Sequence, residues 1–409
     1  MKYFFPESLT SIRRNSVWLL AARVCTQGLS VVFIALVARR LDTAGFGQFT
    51  FIAAILAIGN TFTSFGTDTW LVRELAKTRS LSFVSGAFVL QLALALLWYF
   101  ATLFLRRDVP LLIYSLTLFP LSLFSVVSSL MRGFERMDLF WGLCLINGIV
   151  QVVCAILSSN LILLCIFLLA GSLITAVLGL WMCHIFLPNF SFLPVGDFRV
   201  IFHVLLPFAA LATLSLVSQK LGILLISLFS GNVATGVFSA AIRIFEGIKI
   251  GHYAVLGSLL PILSRDLSYS KREYRTAFFG LLGLSFLLAG LSSFFAKDIV
   301  PFLFGARYAP ASSLLMVLAW SLIPYTISSF ISVNLVVRGK EGLLLKAITV
   351  SLLLWIPLFV ILIKGYGLIG AAWAVLFGEI IQAVILSYIF SKGLKKFRGL
   401  NFEITNEIL

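Results

Sequence analysis

The residues with the most chemistry to offer are three charges inside one apolar stretch. Gly236–Pro261 reads GVFSAAIRIFEGIKIGHYAVLGSLLP and carries Arg243, Glu246 and Lys249 well inside its ends. Steps of three place successive charges on neighbouring parts of one helical face. The stretch is long enough to cross a bilayer. A charge at the bilayer centre costs roughly 2.5–3.5 kcal/mol, so such residues face a bundle interior or a wet cavity. Two readings follow. Glu246 can neutralise its two neighbours in a structural salt bridge. Alternatively the stretch, which keeps one net positive charge after pairing, can line a cationic cavity for an anionic ligand. His252 shares this stretch and is a weaker candidate for ligand or proton binding.

Other ionisable groups sit in comparable places. Ser16, Arg23, Gln27 and Ser30 follow one another at steps of 7, 4 and 3, which is one helical face. Arg23 can point into a cavity or snorkel to the membrane surface. Lys220 lies deep in another apolar run, beside Ser218 and Gln219. Arg23, Gln27, Lys220, Arg243 and Lys249 are therefore the candidate ligand-binding residues. Glu379 has no cation near it in sequence, so desolvation favours its protonated form and makes it a proton-relay candidate. Glu246 and Glu379 are the candidates for ion coupling. Asp68, with Arg73 and Glu74 nearby, reads as marking an interface. Amide and hydroxyl residues elsewhere in the apolar runs, such as Asn60, Asn147 and Gln151, read chiefly as glue between helices.

These residues must be positioned by membrane helices. The 409 residues are 60% hydrophobic and 11% charged, against about a quarter charged in a soluble domain. Runs of about 20 apolar residues are needed per helical span. Such runs fall at 15–38, 48–71, 82–105, 111–131, 138–158, 161–187, 200–229, 234–262, 276–296, 311–336, 343–363 and 368–391. The expected fold is all-α: a polytopic membrane protein of about 12 transmembrane helices. Alternation of period two over ten-residue segments, the mark of a membrane β-barrel, is absent. The net charge of +15 does not point to nucleic acid, because the basic residues sit mostly at the ends of apolar runs. With the N-terminus inside, 20 of the 31 Lys and Arg fall on the inner side, 7 on the outer side and 4 within spans. That asymmetry places both termini in the cytoplasm. Arg13 and Arg14 precede the first apolar run, which is too long for a signal peptide and is kept as a span. Cys25, Cys144, Cys154, Cys165 and Cys183 lack metal-type spacing and read as small core residues.

The chain also reads as two related halves: an N-terminal six-helix lobe (1–187), a linker at 188–199 rich in proline, a C-terminal six-helix lobe (200–391) and a cytoplasmic tail (392–409). LMRGFERMDLF after the fourth span resembles VVRGKEGLLLK after the tenth, pairing Arg132 with Arg338, Gly133 with Gly339 and Glu135 with Glu341. RRDVP at 106–110 resembles ARYAP at 306–310, and LDTAGFGQF loosely echoes GNVATGVF. Six spans return the chain to the same side, so the repeat is parallel. No P-loop, G-x-S-x-G, H-E-x-x-H or paired-cysteine motif is present, and no cofactor is expected. Transport by this chain would therefore draw on an ion gradient, the membrane potential or a cargo gradient.

Five stretches carry a family resemblance: LVARRLDTAGFGQFTF at 36–51, SFGTDTWLVRELA at 64–76, RGFERMDLF at 132–140, FLFGARYAPASSLLMVLAW at 302–320 and GYGLIGAAWA at 365–374. Through them the chain resembles the Wzx-type O-antigen and polysaccharide flippases, of the superfamily that includes MurJ and the MATE exporters. The resemblance implies two six-helix lobes around a central cavity working by alternating access in the bacterial inner membrane. It implies a cargo of undecaprenyl-diphosphate-linked oligosaccharide, membrane lipids as surroundings, and a polysaccharide polymerase and chain-length regulator as partners. It implies transport rather than an enzyme. A diphosphate needs cations, and Arg23, Arg243, Lys249 and Lys220 could supply them. Two other readings stay open. A MATE-like cation-coupled exporter of small molecules would favour acidic cavity residues, and here cations outnumber acids. A membrane glycan polymerase or ligase would be expected to carry a large outer loop, and none is predicted.

Overall fold

The computed structural model describes residues 6–105, 108–187, 198–265, 271–337 and 340–406, with the side chains of these except at 6–16, 20, 105, 198–204, 207–208, 211, 250–265, 271–274, 341 and 392–406. Every regular element among the described residues is a helix. Among the described residues, nine helical segments are long and apolar enough to cross a membrane, and a bent pair passes the same test as a tenth. Their outward faces carry large apolar side chains: Phe104 is 86% exposed, Phe294 77% and Ile361 67%. Only a hydrocarbon surround satisfies such a surface. The protein is a multi-pass membrane protein.

Contacts divide the chain into two compact units, Met1–Lys220 and Leu221–Leu409. The first unit opens with α1 (Pro6–Arg40), α2 (Thr43–Ser64), α3 (Thr67–Thr78) and α4 (Val84–Leu105). It continues with α5 (Val109–Ser115), α6 (Leu118–Gly133), α7 (Met137–Leu157) and α8 (Leu161–Phe186). Helix α1 packs along α7, where the Trp18 and Trp141 rings lie 5.1 Å apart. Asp42 starts α2 by accepting a hydrogen bond from the Gly45 amide at 2.7 Å, the N-cap role its side chain suits. The second predicted span is longer than expected and broken. It runs over Thr43–Thr78 and changes direction at Phe65 and Gly66, both in the left-handed region. Beyond the break α3 is amphipathic, burying Leu71 and Leu75 against Val126 and Leu130 of α6.

Helix α9 (Phe198–Arg265) joins the seventh and eighth predicted spans through a break at Gly231, where φ is +78°. Its first part belongs to the first unit, where Leu205 and Ala209 pack with Phe65 and Leu90. The second unit continues with α10 (Lys271–Phe294), α11 (Ala296–Phe304), a 3₁₀ turn at Ala306–Tyr308, α12 (Ala311–Trp320), α13 (Leu322–Val337) and α14 (Glu341–Asn406). The short α11 was expected as loop; its Val300 and Phe304 are buried, so packing of one apolar face recruits it into the fold. The tenth predicted span is the bent pair α12–α13, with an angle of 42°. Helix α14 contains the last two predicted spans, broken at Gly367 (φ +59°), and continues as helix through 392–406, where a tail was expected.

Of the three pairs of stretches used to argue a repeat, RRDVP and ARYAP each lead into a helix that is broken and continues. Asp108 and Pro110 open α5, which breaks and continues as α6; Pro310 opens α12, which bends into α13. Arg107, Arg338, Gly339 and the linker residues 188–197 lie outside the described residues.

Candidate functional site

The charged stretch of α9 is helical in the second unit and meets α13 and α14. Lys249 donates a hydrogen bond from Nζ to Oε1 of Glu379 at 3.0 Å, across 130 residues of sequence. Both side chains are mostly buried, at 15% and 18% exposure. The same ammonium lies 4.0 Å from the centroid of the Tyr325 ring and 4.4 Å from that of Phe245. Two electron-rich faces and one carboxylate thus surround the cation. Nearly two turns earlier on α9, Arg243 donates from Nη1 to Oε2 of Glu246 at 3.2 Å. The Nε of Arg243 is buried and has no hydrogen-bond partner among the described residues.

This geometry corrects one expectation. Glu379 is not isolated from cations: its neighbours in sequence carry none, but α9 delivers Lys249 to it. The positive charge that the stretch keeps after the Arg243–Glu246 pairing is Lys249, and it faces a carboxylate from α14. Glu246 bonds Arg243, and Lys249 takes its carboxylate from α14.

The position of Glu379 is set by its neighbours on α14. Trp355 donates from Nε1 to the carbonyl of Ala374 at 2.8 Å, and its ring occupies the space where a Cβ on Gly378 would sit, 2.3 Å from that point. Glycine at 378 therefore lets the two parts of α14 approach closely, one residue before the carboxylate. On the neighbouring face, Ile323, Pro324 and Ile327 of α13 and Ile380, Ala383 and Val384 of α14 border an apolar groove of about 410 Å³.

Arg23, Gln27 and Lys220 belong to the first unit. Arg23 and Gln27 lie one turn apart on the exposed face of α1, and Lys220 is half-buried in α9. Of the predicted residues in the second unit, Arg243 pairs with Glu246 and Lys249 with Glu379. The side chain of His252 lies outside the described residues.

Sequence reading missed the most extensive polar network of the first unit. Asp68, at the start of α3, accepts hydrogen bonds from Ser125 Oγ of α6 and, at 3.5 Å, from Gln91 Nε2 of α4. Gln91, only 1% exposed, also reaches Ser125 at 3.1 Å and Thr67. Ser129 donates to the Asp68 carbonyl at 3.3 Å and accepts from Arg132 at 3.2 Å. The expected role of Asp68 at an interface fits this joint between three helices. Of the smaller polar residues expected as glue, Asn147 accepts from Thr175 of α8 at 3.4 Å.

The fold defines a class. Over 92% of this chain and 87% of the other, the structure is similar to that of the lipid II flippase MurJ in an inward closed conformation, with a TM-score of 0.75 at 19% identity. An inward-facing multidrug resistance MATE transporter of the MOP superfamily covers 95% of both chains (TM-score 0.68, 16% identity). A MOP-superfamily transporter from Pyrococcus furiosus, described as having a binding pocket of reverse polarity, covers 96% of both (TM-score 0.65, 14% identity). Residues 12–267 match the polysaccharide biosynthesis protein family, and the chain belongs to that family. It is also 24% identical over 183 residues to a probable low-salt glycan biosynthesis flippase, Agl15, of Haloferax volcanii. That match spans 41% of this chain and 36% of the relative's length.

Proposed function

We infer that the chain is a flippase that moves a lipid-linked oligosaccharide across the membrane, in the synthesis of O-antigen or another surface polysaccharide. The membership in the polysaccharide biosynthesis family carries this reading. The MurJ-like fold and the match to a glycan flippase support it. In this reading twelve helices form two six-helix lobes, 1–187 and 200–391, around a central cavity that opens alternately to either side. The membrane is the bacterial inner membrane, both termini are cytoplasmic, and the cargo is an undecaprenyl-diphosphate-linked repeat unit. A polysaccharide polymerase and a chain-length regulator act next in order, and this chain performs no covalent chemistry.

The chemistry of the second unit fits a cargo with a phosphate head. Arg243 has a donor left over after its pairing with Glu246, and Lys249 offers an ammonium whose aromatic neighbours do not use up its hydrogen bonds. The apolar groove between α13 and α14 runs over the same turns as Tyr325 and Glu379, so a polyprenyl chain lying in it keeps its head near Lys249. Arg23, Gln27 and Lys220 are assigned to the same cargo from the first unit. Glu246 and Glu379 are assigned to ion coupling.

The test is transport itself. In a strain lacking this gene, the wild-type chain is expected to restore surface glycan. Arg243→Gln is expected to reduce it at least tenfold while the protein still inserts. Lipid-linked repeat units should accumulate on the inner leaflet of the mutant. Accumulation on the outer leaflet, unpolymerised, would instead make the protein a polymerase; drug sensitivity with normal glycan would make it a small-molecule exporter.

A further inference from the structure

We propose that Glu379 is a displaceable counter-ion: it holds Lys249 in the empty protein, and the diphosphate of the lipid-linked cargo takes its place. The proposal rests on the cargo-binding reading of this cluster and adds an internal competitor to it.

Three observations carry it. First, each of the two cations already faces a carboxylate, so a phosphate approaching Lys249 meets Glu379 as a competing anion. Second, the two carboxylates are held differently. Glu246 lies three residues from Arg243 on the same helix and moves with it. Glu379 comes from α14, and any shift of α14 against α9 lengthens its 3.0 Å bond to Lys249. Third, Lys249 is not stranded when Glu379 leaves. The rings of Tyr325 and Phe245, at 4.0 and 4.4 Å, continue to stabilise the ammonium. Neither ring is an anion, so neither competes with a phosphate for it. A carboxylate and a phosphate oxygen are interchangeable acceptors for an ammonium. On a cation flanked by two rings, a phosphate and Glu379 compete for the same charge.

Competition has a measurable sign. A cation occupied by its own carboxylate most of the time shows a weakened apparent affinity, reduced by the fraction of time it is free. Removing the competitor restores that fraction. The purified full-length protein in detergent is titrated with undecaprenyl diphosphate. Glu379→Gln, which keeps shape and loses charge, is expected to bind about tenfold more tightly than wild type. Lys249→Ala and the double variant Lys249→Ala/Glu379→Gln are expected to bind equally weakly, since without the cation the competitor has nothing to block. Glu379→Asp, with a retracted carboxylate, is expected to fall between wild type and Glu379→Gln; it replaces Glu379→Gln if that variant fails to fold.

Glu379→Gln binding no more tightly than wild type, while Lys249→Ala loses binding, overturns the proposal: Glu379 would then only position Lys249. A gain for phosphatidylglycerol as large as that for the polyprenyl diphosphate also overturns it, by assigning the site to bulk lipid headgroups. Failure of the underlying reading looks different. In that case wild type does not bind undecaprenyl diphosphate, and Lys249→Ala restores surface glycan as well as wild type does.

Discussion

Single side chains in this protein are judged by what they leave behind when removed. Asp68 is the clearest case. Its carboxylate collects Ser125 and Gln91, and through its backbone it is tied to Ser129 and Arg132. Asp68→Ala takes from the part-buried Ser125 hydroxyl of α6 the acceptor it donates to, and from Gln91 of α4 one of its three, and is expected to cost about 1–3 kcal/mol. Asp68→Asn, which keeps one acceptor oxygen, is expected to cost less. Thermal denaturation of the purified variants in detergent measures both. Little of this was legible in sequence. Asp68, Gln91 and Ser125 lie 23 to 57 residues apart, and only the packing of three helices brings them together. The same holds for Glu379: its chain neighbours are apolar, and the lysine that answers it is supplied by another helix. The pairing of Arg243 with Glu246 could be anticipated, because a spacing of three residues is local geometry.

At the scale of elements, apolar length located the helices and glycine located their breaks. Gly231 and Gly367 adopt φ of +78° and +59° with extended ψ, a region that other residues enter only with strain. Gly367→Ala is expected to destabilise the protein by about 1–3 kcal/mol, read as a lowered midpoint of thermal aggregation. Alanine at Gly365, two residues away at an open position, should change it little and serves as the control. What sequence pattern did not disclose is continuity. Two predicted spans run on into one another at each of these glycines, and the tenth bends midway. A hydropathy window sees apolar length but not a single residue with unusual torsions. The short α11 escaped for a related reason: nine residues with Lys297, Asp298 and Pro301 read as loop until one face is packed.

For the molecule as a whole, composition was the most informative property. A chain with 60% hydrophobic and 11% charged residues has to satisfy its backbone inside a bilayer, and helices do so within each segment. Family membership then follows from motifs spread over the first two thirds of the chain. The distribution of positive charge predicts that both termini are cytoplasmic. Reporter domains active only in the cytoplasm are expected to work when fused to either terminus, and reporters active only outside are expected to fail at both. One active fusion of each kind would place the termini on opposite sides and exclude twelve spans.

The contact between Trp355 and Gly378 has a mechanical consequence. An indole keyed into a notch on the adjoining rod, and tethered to its backbone by a hydrogen bond, prevents sliding or rolling between the two. The two parts of α14 thus travel as a single lever. A substituent as small as a methyl group at Gly378 would pry that lever open and tilt the carboxylate beside it. Motion during a transport cycle has to be absorbed at joints elsewhere, leaving the angle at which Glu379 approaches α9 to be set by the swing of the lever.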